Sequence, residues 1–236
     1  MIFKFDRACT CCRNERVYAP HTEREETPER LIEHLSIDDR QAFEAAMESY
    51  YRDSALHEAG HVVAAAATGR KTLYATLGGG TPHVHYRKHS ETPSVLDLLI
   101  ATTAGVVAER LGNGETFGPL WSNLCELIRR ARGGDAGTCD GCHVARTMTA
   151  YFPDCADEVL VESWFGVIDC AHALLADKEV CAAHAALAQE LHEATLVEQE
   201  RIEEIVAAFD LANAMDRALG PLNLSEILPA WRLELA

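Results

Sequence analysis

Ser54-Ala55-Leu56-His57-Glu58-Ala59-Gly60-His61-Val62-Val63 carries two histidines at i and i+4, with a glutamate directly after the first. No proline occurs between Ser36 and Thr68, and Ala, Glu, Met and Leu are frequent there. The stretch therefore predicts one long helix, or two consecutive ones with a break near Asp53-Ser54. Ser36-Ile37-Asp38-Asp39 offers an N-cap with an acidic first turn. Gly69, followed by Arg70 and Lys71, offers a C-terminal stop. Gly60 is a poor helix former, so a helical glycine there asks for a close neighbour, either another helix or a bound chain.

Histidines four residues apart share one face of a helix and can grip one cation. Zinc takes imidazole nitrogens readily, and a catalytic zinc site keeps one position open for water. Glu58, next to the first ligand, places a carboxylate where it could take a proton from that water, while zinc polarises a scissile carbonyl. The expected ligands from this motif are His57 and His61, with Glu58 as general base.

Outward from the motif the sequence reads as mainly α with a small β element. Thr72–Leu77 and His83–Tyr86 are strand candidates joined through Gly78-Gly79-Gly80, as in a hairpin. Ser94 to Leu111 is apolar nearly all round and reads as a buried helix. Further helices are expected over Pro119–Arg132, from Asp140 to Phe152, over 156–177, and over 179–218 as one or two segments, with apolar residues at helical spacing. Residues 1–35 form a polar arm, 36–220 a helical domain and 221–236 an irregular tail marked by Pro221 and Pro229.

The 236 residues are 48% hydrophobic and 25% charged, enough for one sizeable core. A formal charge of −16 repels phosphates and anionic headgroups, so nucleic acid and membranes are not expected partners. No signal-peptide pattern and no run of roughly 20 apolar residues is read from the sequence, which places the expected location in the cytoplasm. The nine cysteines are an odd number without a secretory signal, and reduced thiols are expected. Cys125, Cys170 and Cys181 read as core thiols. Cys9 with Cys12 and Cys139 with Cys142 are Cys-x-x-Cys pairs that could together hold a structural zinc.

The stretch 54–63 resembles the zinc helix of the FtsH-type metallopeptidases. In the same order, the strand pair Thr72–Leu77 and His83–Tyr86 resembles that family's active-site β element. Thr103-Ala104-Gly105-Val106-Val107-Ala108-Glu109-Arg110-Leu111 is similar to its Gly-Arg-Ala-Ala-Glu helix, and Leu191-His192-Glu193-Ala194-Thr195-Leu196 to its C-terminal helix-turn. The resemblance spans roughly residues 54–208. It implies an aspartate as third zinc ligand at the start of a helix running into an Ala-Arg-x-Met-like stretch. Asp140, ahead of Ala145-Arg146-Thr147-Met148, takes that place, although the distance is shorter than in the family and residues 112–134 read as an insertion. Asp135 and Glu109 are the alternatives, the latter because a later helix donates a glutamate in some zinc enzymes.

The resemblance implies an FtsH-peptidase-like helical zinc metallopeptidase, an endopeptidase using a zinc-activated water. No Walker A sequence occurs, so the expected substrates are peptides and flexible or unfolded polypeptides, with a separate unfoldase as a possible partner. Competing readings are a binding or regulatory protein that keeps the peptidase fold without turnover, and a protein whose zinc is purely structural and held by cysteines. His83, His85 and His89 could touch substrate or an oxyanion but read first as exposed strand-face residues. His143, His172, His184 and His192 read as surface residues of helices.

Overall fold

The computed structural model describes residues 37–78, 82–87, 94–115 and 121–230. The polar arm, the Ser36 cap, the cysteines at 9, 11 and 12, and His89 lie outside the described residues.

Helix α1 (Ile37–Ala67) is a single 31-residue helix, about 46 Å long at 1.5 Å per residue. The break anticipated at Asp53-Ser54 is absent. Asp53 Oδ1 accepts a hydrogen bond from Asn113 Nδ2 at 3.1 Å, and Ser54 is buried in the packing. Asp53 is tied to the next helix and Ser54 is enclosed in the packing, so this stretch stays within the helix. The C-terminal stop falls where expected. Gly69 adopts φ +75°, its N–H donates to Ala66 O at 3.0 Å, and the Arg70 N–H donates to Ala65 O at 2.8 Å. This is the Schellman arrangement, in which a left-handed residue satisfies the last helical carbonyls.

Strands β1 (Thr72–Thr76) and β2 (His83–Tyr86) pair antiparallel. A third strand, β3 (Leu196–Glu198), pairs with the other edge of β1, giving the order β2-β1-β3. This strand lies within the 179–218 stretch expected to be helical. The preceding helix ends at Thr195, which takes φ +59°, a conformation costing a non-glycine residue roughly 1–2 kcal/mol. Its carbonyl accepts from the Leu77 N–H at 2.7 Å and from Thr76 Oγ1 at 3.1 Å, so the turn is tied to the sheet.

The other helices are α2 (Val95–Gly112), α3 (Trp121–Arg132), α4 (Asp140–Tyr151), α5 (Asp157–Ala176), α6 (Lys178–Ala194), α7 (Gln199–Ala207), α8 (Ala214–Leu219) and α9 (Leu224–Ile227). Ser94 caps α2 by accepting from the Asp97 N–H at 3.1 Å. Asp177 caps α6 by accepting from Glu179 and Val180. The molecule is thus mainly α with a small three-stranded antiparallel sheet.

Packing centres on α1, which lies chiefly against α2 and α6, with α5 packed against α2. The approach of α1 to α2 answers the question raised by Gly60. A Cβ there would lie 2.5 Å from Ala108 Cβ and 2.8 Å from Ala104 O, so only glycine lets the helices come this close. Helix α6 meets α1 through two histidines. His184 Nε2 donates to Leu56 O at 2.8 Å, and His192 Nε2 pairs with Glu48 at 2.9 Å. Both were expected on the surface; the α1–α6 seam takes them instead. His172 is exposed, as expected.

Helix α5 departs from the membrane-span reading of the sequence. By length and composition it is apolar enough to cross a membrane, yet 61% of its most apolar window is buried inside the fold. Its Leu160, Val161, Val167 and Leu174 are fully buried. Residues 224–230 pack on it: the Ala230 N–H donates to Ser163 Oγ at 2.8 Å, and Gly166 passes under the Ile227 carbonyl. Cys170 sits in this core, where burial and the neighbouring Asp169 charge push its thiol up to about 11. Cys181, expected in the core, is exposed.

Candidate metal centre

Helical spacing puts His57 and His61 on one face of α1, and packing decides which way their rings turn. The His57 Nδ1–H donates to Glu109 Oε2 on α2 at 3.0 Å. The His61 Nδ1–H donates to the Ala101 carbonyl, also on α2, at 2.8 Å. With both Nδ1 atoms so engaged, the Nε2 lone pairs face inward, and the two Nε2 atoms lie 3.1 Å apart. Gly105 makes room for this arrangement, because a Cβ there would stand 2.3 Å from His61 Nε2.

Asp140, the first residue of α4, brings its Oδ2 to 2.9 Å from His57 Nε2 and 3.4 Å from His61 Nε2. The candidate ligand atoms of the three residues lie within 4.8 Å of one another. Three electron-rich atoms in a mostly buried space repel unless a cation lies between them. The donor set, two imidazoles and one carboxylate, is the kind zinc accepts. These residues could hold a metal ion.

The electrostatics express the same demand for positive charge. Burial alone would push the His57 imidazole down. Its hydrogen bonds to Asp140 and Glu109 and the charges of Asp140 and Glu58 outweigh burial and raise it to about 10. His61 is raised as well, its burial overcome chiefly by Asp140. Asp140 would be raised by burial, but His61 and His57 hold it well below the usual carboxylate range. Metal binding draws on the same attraction, because a cation replaces the shared protons.

The two alternatives for the third ligand separate cleanly. Asp135 is exposed and its carboxylate lies 3.5 Å from Arg130, outside the cluster. Glu109 binds the far nitrogen of His57 instead. In that position a carboxylate fixes the tautomer and ring orientation of a ligating histidine and raises its basicity. Glu58 is buried, and its charge is felt by both histidines. His83 and His85 point to solvent and do not reach the cluster. His143 lies near Arg146, with Nδ1 3.2 Å from its guanidinium. Cys142 is buried on α4, while the possible partners Cys9 and Cys12 lie outside the described residues.

One residue near the centre was not singled out from the sequence. Tyr86, on β2, feels the charges of both Glu58 and Asp140, and the Arg70 guanidinium lies 4.2 Å over its ring. Its neighbours His83 and His85 drew attention as histidines, whereas tyrosine on a short strand carries no sequence signal of its own. No family model matches the chain, and a search of curated proteins finds no match either.

Proposed function

We propose that the chain is a zinc-dependent endopeptidase with an FtsH-peptidase-like site, hydrolysing peptide bonds in flexible or unfolded polypeptides. One observation carries this reading: His57, His61 and Asp140 turn three acceptor atoms toward one point, with a buried carboxylate, Glu58, one residue from the first of them. The order of parts supports the family likeness, since a helix with His57 and His61, an antiparallel strand pair, a helix with Glu109 in its last turn and an aspartate opening a later helix follow one another.

Zinc bound by these residues supplies Lewis acidity, polarising a carbonyl and making water nucleophilic near neutral pH. The protein's own groups do the rest. Glu58 takes a proton from the attacking water and returns it to the leaving amine. Glu109 and the Ala101 carbonyl hold the two imidazoles in their ligating tautomer. Strand β2 is a sheet edge, and an edge pairs by its main chain with an extended peptide. Folded proteins rarely offer such a segment, so unfolded chains, or chains delivered by a separate unfoldase, fit best.

Glu58→Gln tests the assignment. Casein hydrolysis should fall by about 10²–10⁴-fold, the usual worth of a general base, with zinc content unchanged. Hydrolysis that survives in this variant would sink the mechanism. A zinc-loaded wild type that leaves casein and short peptides intact would favour a binding protein instead.

A further inference from the structure

Asp140 opens α4, and the buried face of that helix is made by Cys142, Val144, Ala145 and Met148. His143 is exposed and Arg146 partly buried, so both fall on the outer side of the helix, with Asp140 at the rim between the two sides. Residues three apart on a helix are neighbours, about 5–6 Å between Cβ atoms, and their side chains lean toward the helix N-terminus. His143 therefore stands one turn from the metal ligand and leans back toward it. Arg146 follows one turn further on. Six residues of helix, at about 1.5 Å each, put it about 9 Å along the axis from Asp140.

The remaining polar groups of these two side chains are all donors. Arg146 Nη2 lies 3.2 Å from His143 Nδ1. Arginine has no acceptor and keeps its protons, so Nδ1 accepts and the imidazole N–H sits on Nε2. Arg146 Nη1 donates to the Ala136 carbonyl at 3.5 Å, a long contact with the loop ahead of Asp140. Arg130, Arg132, Arg201 and Arg217 each pair with a carboxylate. Arg146 pairs with none among the described residues, although the chain carries 37 acidic residues. A guanidinium without a counter-charge, beside an imidazole N–H, is a donor set that suits a carboxylate.

Resting on the peptidase reading, we propose that His143 and Arg146 form a carboxylate-binding subsite at the rim of the metal centre, which selects substrates carrying an acidic side chain or a C-terminal carboxylate. An extended chain advances about 3.3 Å per residue, so about 9 Å corresponds to a carboxylate about three residues from the bond being cut. The formal charge of −16 works against acidic chains overall, and at roughly 0.15 M salt exposed charges are screened beyond about 8 Å. A preference for acid at that salt is therefore local in origin.

The probe is a set of acetylated alanine and leucine peptides with amide ends, in which one Glu or one Gln is moved along the chain, together with the Gln peptides bearing a free carboxylate end. Binding is measured by calorimetry on zinc-loaded Glu58→Gln protein, so that the peptides stay intact, at roughly 0.15 M salt. Glu at one position, or the free end, should bind about tenfold tighter than its neutral counterpart, the lower end of what hydrogen bonds to a charged group contribute. A gain from Glu identifies an internal acidic residue, and a gain from the free end a chain terminus. Arg146→Gln on the same background should erase the preference, and His143→Ala should reduce it. Damage to the loop through the lost Ala136 contact would weaken acidic and neutral peptides alike and leave their ratio standing. A preference that survives Arg146→Gln therefore overturns the proposal. Should that variant fail to fold, His143→Ala decides in its place, and an undiminished preference there overturns the proposal. Equal binding of acidic and neutral peptides by the parent protein, or none, overturns it as well. Casein left intact by zinc-loaded wild type ends the peptidase reading itself, while the peptide ratios still judge the subsite.

Discussion

Gly105→Ala places a methyl group where the His61 ring stands. Built on the observed backbone, the new Cβ lies 2.3 Å from His61 Nε2, 2.6 Å from Cε1 and 2.8 Å from Cδ2. Comfortable heavy-atom contact begins near about 3.5 Å, so ring or helix must shift by roughly 1 Å. The helices resist, because Gly60 already brings α1 against Ala104 and Ala108. The ring is the softer partner, held by the hydrogen bond of its Nδ1 to Ala101 O at 2.8 Å. Swinging it removes Nε2 from its place beside His57 and Asp140. Loss of a mere orienting contact weakens metal affinity about 10–100-fold. Displacing the ligand itself should reach the upper end, about 100-fold, which is about 2.7 kcal/mol of binding free energy. Overpacking adds a fold destabilisation of about 1–3 kcal/mol. Gly60→Ala separates the two effects: it strains the same helix pair, with its Cβ 2.5 Å from Ala108 Cβ, but touches no ligand. Thermal unfolding with and without zinc, together with chelator competition for the dissociation constant, reads both. Both variants should melt lower without metal, and only Gly105→Ala should lose most of the zinc-induced gain. A Gly105→Ala protein with wild-type zinc affinity refutes the reasoning.

Two further outcomes follow from the same centre. Glu109→Ala should lower zinc affinity about 10–100-fold while leaving two histidines and Asp140 as ligands; unchanged affinity by chelator competition would show that the His57–Glu109 contact does not orient the ring. The metal-free protein should also lose stability in alkali. His57 is raised from 6.5 to about 10 in the fold, burial being outweighed by Asp140 and Glu109, so its contribution is complete below about 6.5 and disappears as the pH climbs through about 10. Asp140, held low by the histidines against burial, contributes above the ordinary carboxylate range and is lost as the pH falls through its depressed value. Urea unfolding of metal-free protein across this range checks the sign, and a stability that rises between neutral pH and 10 contradicts it.

The helices and the histidine pair were legible because their signals are local. Periodicity and the absence of proline predicted α1, and Gly69 marked its end. Of the two readings, one long helix or two with a break at Asp53-Ser54, the first is found, and Asn113, 60 residues away, engages Asp53. Strand β3 was hidden in a helical stretch: it is three residues long, and the turn before it is made by threonine, where a glycine would have announced it. Asp140 was reachable only through resemblance, since no spacing rule ties α4 to α1. Its place beside His57 comes from tertiary packing, as do the roles of His184 and His192. The burial of Thr72 depends on a register shift that alternation of residue types does not encode.

The Thr195 turn has a mechanical consequence. Through it α6 runs into β3, β3 is bonded to β1, β1 follows directly from α1, and α6 closes back on α1 through His184 and His192. Helices α1 and α6 and strands β1 and β3 are therefore sides of one closed frame. Strand β2 is hydrogen-bonded to the β1 side of that frame, so it cannot swing outward like a lid without breaking its ladder with β1. On the peptidase reading, an extended chain would meet a fixed strand edge whose geometry exists before anything binds.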